Sequence, residues 1–139
     1  MKAQRIRGLT ADLPLETAAR RFVSVRTAEL YAFVPEALDE EAITAMHDMR
    51  IAAKRLRYLL ELVGFCFGDV GSEAQGRARQ LQDVLGEIHD CDVMLPRAEG
   101  IESLATLLRT RRELLFRRFH DLWQAEASKG TWVALERSL

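Results

Sequence analysis

Residues 47–58 read HDMRIAAKRLRY, and this stretch decides both the fold class and the candidate site. It runs on without Gly or Pro until Gly64. At about 100° per residue, Met49, Ala52, Ala53, Leu56, Leu59, Leu60 and Val63 share one side of a helix. His47, Arg50, Lys54 and Arg57 fall within an arc of roughly 80° on the opposite side. From Met49 to Leu60 there are four cations and no carboxylate, in a chain whose net charge is only −1. Like charges three and four residues apart repel by about a few tenths of a kcal/mol per pair. A face meant only for water would interleave Glu. Unopposed cations beside a His suit a polyanion.

The flanking sequence supplies further helices. Residues 14–34 form the first, with Pro14 at its start, Asp12 as a cap candidate and Pro35 ending it. Its apolar stripe is Leu15, Ala18, Ala19, Phe22, Val25 and Ala32. The helix holding the basic row starts near Asp39 or Glu40, acidic residues that suit the positive end of a helix dipole. It stops at a Gly-rich break between Gly64 and Gly71. Ser72 and Glu73 open a third helix, which carries Ala78, Leu81, Val84, Leu85 and Ile88 and ends before Pro96. The fourth covers residues 98–127, with Ile101, Leu104, Leu108, Leu115, Phe119 and Leu122 as its stripe. In the tail, Trp132 and Leu135 are candidates to cap the bundle. Residues 1–13 read as a mobile lead-in. The expectation is an all-α fold, an antiparallel four-helix bundle forming one domain over residues 1–139.

Bulk composition fits that reading. A chain of 139 residues, 48% hydrophobic and 29% charged, supports a single core. Aromatic residues are only 7%, while Leu, Ala and Arg abound, which favours helix over sheet. Near-neutral net charge argues against a general nucleic-acid coat, because the basicity is local. Cys66 and Cys91 are too few for a disulfide framework and lack metal-ligand spacing, so both read as small buried hydrophobes in a reducing compartment. Lys2, Arg5 and Arg7 precede no apolar signal region, and no stretch approaches about 20 apolar residues. A soluble, cytoplasmic protein is expected.

Other candidates for chemistry are few. Arg111 and Arg118 fall near the middle of the fourth helix's stripe, where a charge must pair, reach solvent or line a polar channel. Arg109, Arg112 and Arg117 lie elsewhere around that helix, as solvated groups, and His120 reads as surface. Two His-Asp pairs, His47-Asp48 and His89-Asp90, raise the idea of a metal site. Neighbours on a helix point about 100° apart, however, so each pair diverges. There is no glycine-rich phosphate loop, nucleophile elbow or HExxH. Tyr58 lies inside the basic arc.

Taken in order, His47, Arg50, the cluster Lys54-Arg55-Leu56-Arg57-Tyr58, then Leu81-Gln82, Leu85-Gly86 and His89-Asp90 resemble the CHAD family, the conserved histidine α-helical domain. The two motifs, HxxRxxxKRLRY and LQxxLGxxHD, directly span about 45 residues of this chain. The resemblance implies a helical bundle that binds inorganic polyphosphate through basic side chains, without catalysis, cofactor or metal. On it His47, Arg50, Lys54 and Arg57 become phosphate ligands, with Arg55, His89, Arg111 and Arg118 as further candidates. Family members usually carry two such four-helix units, whereas this chain holds one copy of each motif. A homodimer would supply the missing half. No specific nucleic acid and no membrane enter as partners, and polyphosphate granules are a fitting location. Two readings of other classes are a histidine phosphotransfer domain, with His47 reactive, and a metal-dependent phosphohydrolase using the His-Asp pairs.

Overall fold

The computed structural model describes residues 2–139, and among them every regular element is helical. The elements are α1 (Leu15–Ala32), a short α2 (Val34–Ala37), α3 (Ile43–Val63), α4 (Gly68–Met94), α5 (Glu102–Lys129) and α6 (Thr131–Arg137). Tight 3₁₀ turns at Gly64–Phe67 and Leu95–Ala98 join α3 to α4 and lead from α4 towards α5. The class is all-α.

α3 and α4 are the centre of the molecule. Met49, Ala52, Ala53, Leu56 and Leu60 of α3 are buried, and so are Ala78, Leu81, Val84, Leu85 and Ile88 of α4. Those are the two stripes that helical periodicity picks out, because both faces pack against each other. Leu59 and Val63 are only half-buried. α1 packs against α3, and α5 against α4. α1 and α5 meet through Tyr31 and Trp123, whose ring centroids lie 5.7 Å apart, edge to face. α6 fills the remaining side, burying Trp132 and Leu135 as the tail reading anticipates. Arg20 of α1 closes the seam by donating to the carbonyls of Ser138 (2.9 Å) and Leu139 (3.0 Å).

Several expectations shift. α3 begins at Ile43, because the carboxylates near its start are used by the preceding turn: Asp39 accepts from the Glu41 amide at 3.0 Å. The Gly64 to Gly71 stretch is a tight corner instead of a loop. Gly68 takes φ +60°, and a Cβ at Gly71 would stand 2.1 Å from the Gly64 carbonyl oxygen. Only glycine allows that backbone contact, so α4 starts four residues before Ser72. On α1 the buried positions are Ala19, Val23, Thr27, Glu29 and Leu30; Leu15 and Ala32 are exposed.

α5 departs most. Its buried residues are Ala105, Leu115, Phe116, Phe119, Trp123 and Glu126, whereas Ile101 is exposed and Leu104, Leu108 and Leu122 are half-buried. The large rings of Phe116 and Trp123 turn the helix by about one position from the leucine stripe. That rotation puts Arg111 and Arg118 in solvent, not in the apolar arc. Arg112 takes the inward place instead, 2.5 Å from Asp92 of α4 and donating to the Glu40 carbonyl at 2.9 Å. Glu126 is buried beside Arg77, 2.6 Å away. Burial, with the charges of Glu136 and Glu126, pushes the Tyr31 hydroxyl up to about 12. Cys91 is buried and Cys66 half-buried, both as free thiols.

Candidate polyanion-binding site

The basic row lies along the edge of α3 that borders α4, and three cross-helix contacts define it. Arg57 donates to the Gln82 side-chain carbonyl at 2.9 Å. Arg50 lies across Gly86, where an added Cβ would sit 3.8 Å from Arg50 Cδ. His47 stacks on His89 with ring centroids 4.4 Å apart and planes tilted by 32°. As the number rises on α4 from 82 to 86 to 89, it falls on α3 from 57 to 50 to 47, so the two helices run antiparallel here. Gln82, Gly86 and His89 are spaced i, i+4, i+7, one face of α4. That spacing was available in the sequence as the second motif, and it marks Gln82 and Gly86 as partners of the row. A Cβ at Gly86 would make an ordinary van der Waals contact with the Arg50 stem.

The row is held but not neutralised. Arg57 shares one carboxylate, Glu61, at 3.1 Å. Arg50 Nε and His47 Nδ1 are buried without a hydrogen-bond partner among the described residues. Lys54 is exposed, its Nζ 5.9 Å from the Tyr58 ring centroid, and the Arg57 guanidinium carbon lies 5.3 Å from the same ring. Tyr58 thus serves as a platform between two cations. Burial first, then the His89 ring and the Arg50 charge, hold His47 below its ordinary value of 6.5, against an opposing pull from Asp48.

The other candidates are not gathered with these. Arg55 points to α1, 3.9 Å from the buried Glu29. Arg118 lies in a groove between α4 and α5, facing Gln80, Asp83 and Glu87. Arg111 is exposed on α5 and does not line that groove. Asp83 and Glu87 also border the groove that holds Arg50 and His89, together with Asp90. These exposed carboxylates form an acidic ridge on α4, with the α3 row on one side and Arg118 on the other. Sequence reading missed the ridge, although Asp83, Glu87 and Asp90 recur at helical spacing. Among the described residues no three His, Cys, Asp or Glu side chains converge to hold a metal.

Residues 2–99 match the family model of the CHAD domain. That span is well over half of the 139 residues and contains both motifs and the whole α3–α4 edge. The chain belongs to the CHAD domain family. No curated protein and no solved structure matches it. Within this CHAD domain the matched part holds α1 to α4, so His47, Arg50, Lys54, Arg55, Arg57 and His89 all fall inside it. Arg111 and Arg118 sit on α5, beyond the match. No helix among the described residues is long and apolar enough to cross a membrane.

Proposed function

We propose that this CHAD domain binds inorganic polyphosphate along the α3–α4 edge and does so without turning it over. The observation that carries the reading is the alignment of His47, Arg50, Lys54 and Arg57 on one rigid helix edge, where among the described residues only Arg57 is paired with a carboxylate, Glu61. Membership of a family of polyphosphate-binding modules points the same way. Arg50, Lys54 and Arg57 are spaced about 4.5–6 Å apart along the helix axis, so consecutive cations meet a linear chain of phosphates in register. Guanidinium and ammonium groups donate charge-assisted hydrogen bonds to phosphate oxygens. A preformed helix limits the ordering cost of binding. Nothing in this chemistry requires a deprotonated nucleophile or a strained bond.

The test is a comparison of substituted chains. Arg50→Ala with Lys54→Ala should lower affinity for long-chain polyphosphate by orders of magnitude while the melting temperature stays level, since neither side chain makes an ion pair among the described residues. Adding Arg57→Ala should abolish binding at a cost of roughly 0.5–1.5 kcal/mol, because Arg57 also holds Gln82. Wild-type affinity should fall steeply with salt, as it does for other polyanions. Retained affinity in the double variant, or a flat salt response, would remove the row from the function.

A further inference from the structure

The lead-in holds a second group of cations that the α3 row does not use. Gln4 and Gly8 fasten it to α1. The Gln4 amide donates to Glu29 at 2.9 Å, Arg26 donates to the Gln4 carbonyl at 3.1 Å, and Arg21 donates to the Gly8 carbonyl. Between these fastenings Arg5 and Arg7 flank the half-buried Ile6. The cleft so formed is lined by Arg5, Arg7, Arg20, Arg21 and the Ser24 hydroxyl, over an apolar floor that includes Ile6 and Val25, with Leu139 at the Arg20 end; no Asp or Glu side chain lines it.

The nearby acids are already engaged. Glu16 pairs with Arg20 at 2.8 Å, and the buried Glu29 pairs with Arg26 at 2.5 Å. Arg5 and Arg7 make no hydrogen bond or ion pair among the described residues, and Arg21 uses its guanidinium on one backbone oxygen. Folding thus gathers Arg5, Arg7 and Arg21 beside the paired Arg20, with no Asp or Glu side chain among the residues lining the cleft. In the α3–α4 groove, by contrast, the acidic ridge stands close by.

We propose that the cleft between the lead-in and α1 is a second phosphate-binding site. Planar guanidinium forks from Arg5, Arg7 and Arg21 match the oxygens of a phosphate group, Ser24 adds a hydroxyl donor, and the apolar floor strengthens each contact. The ligand class is a phosphate oxyanion, and polyphosphate is named as its source only on the strength of the preceding reading. The cleft is formed by the lead-in and α1 whereas the row lies on α3, and none of the residues lining the cleft belongs to the row. A helix is about 10 Å across, so a three-phosphate ligand is expected to fill one site at a time while a long chain can engage both.

Calorimetry with tripolyphosphate on the full chain separates the two sites by stoichiometry. Wild type should bind two equivalents. Arg5→Gln with Arg7→Gln should bind one, as should Ser24→Glu, which places a carboxylate in the cleft and leaves every arginine present. Arg50→Gln with Lys54→Gln should also bind one. All these positions but Arg50 are exposed, so thermal unfolding should not change. Long-chain polyphosphate should bind roughly tenfold or more weakly to either single-site protein, because simultaneous engagement is lost. Two equivalents retained in both cleft variants would overturn the proposal, as would one wild-type equivalent that disappears with the α3 substitutions. One wild-type equivalent that disappears only with the cleft substitutions would uphold it and overturn the α3 reading instead.

Discussion

His47 is the side chain whose behaviour most depends on what surrounds it. Its depressed proton affinity means that the unfolded chain holds more protons than the folded one just below pH 6.5. Stability should therefore decline as pH falls from 6.5 towards the folded-state value and level off beyond it. Urea unfolding across that range, in wild type and in His47→Gln, checks the slope, which the variant should flatten. Bound phosphate acts in the opposite sense, raising the His47 proton affinity, so binding should take up protons and tighten as pH falls. Calorimetry in buffers of differing ionisation enthalpy should register that uptake. No uptake in wild type, or the same uptake in His47→Gln, would take His47 out of the anion site. The azimuth of His47, Arg50, Lys54 and Arg57 was readable from helical spacing alone. The contact with His89 was not, since it depends on the register of α3 against α4. Arg55 shows the limit from the other side, because its partner Glu29 lies 26 residues away and reads in isolation as a surface glutamate.

Among the elements, the α3–α4 corner carries the strictest requirement. Gly71→Ala puts a methyl group where the Gly64 carbonyl oxygen already is, and neither backbone segment is a flexible side chain that can yield. We expect a loss of at least 1–3 kcal/mol, of the order seen for overpacking. Moving the start of α4 would also slide the Gln82, Gly86 and His89 face along α3, so polyphosphate affinity should drop with it. Gly76→Ala, on the same helix with open space around it, is the matched control and should be neutral or stabilising. Thermal unfolding and a binding titration on both variants decide the point. The stripes of α3 and α4 were legible because each mixes small and branched apolar residues on one face with charge opposite. α5 was not, because leucines and arginines are spread around its whole circumference. Its orientation is set by two aromatic rings whose pull appears only once Tyr31 and α4 are in place.

At the scale of the molecule, one such unit displays one basic row, and a two-fold partner would set a second row opposite it. We expect a homodimer strengthened by polyphosphate. Light scattering with and without the ligand tests it, and a strict monomer in both conditions would mean the open surface acts alone. Arg111 and Arg118 have no bearing on that expectation, since both are exposed within one copy. The acidic ridge of Asp83, Glu87 and Asp90 has a different bearing: on the proposed function it would limit the width of what can lie in the groove. A single thin strand of phosphates can rest on α3 and clear the ridge. A duplex, about 20 Å across and charged on every side, would press its second backbone onto those carboxylates. On the proposed binding mode the ridge would act as a gauge, selecting a polyanion by its girth instead of by its sequence. Asp83→Asn, Glu87→Gln and Asp90→Asn together should leave polyphosphate affinity level or higher while raising affinity for double-stranded DNA by about tenfold or more. A mobility-shift comparison at matched salt reads this directly. If the neutralised protein still ignores the duplex, the discrimination resides elsewhere.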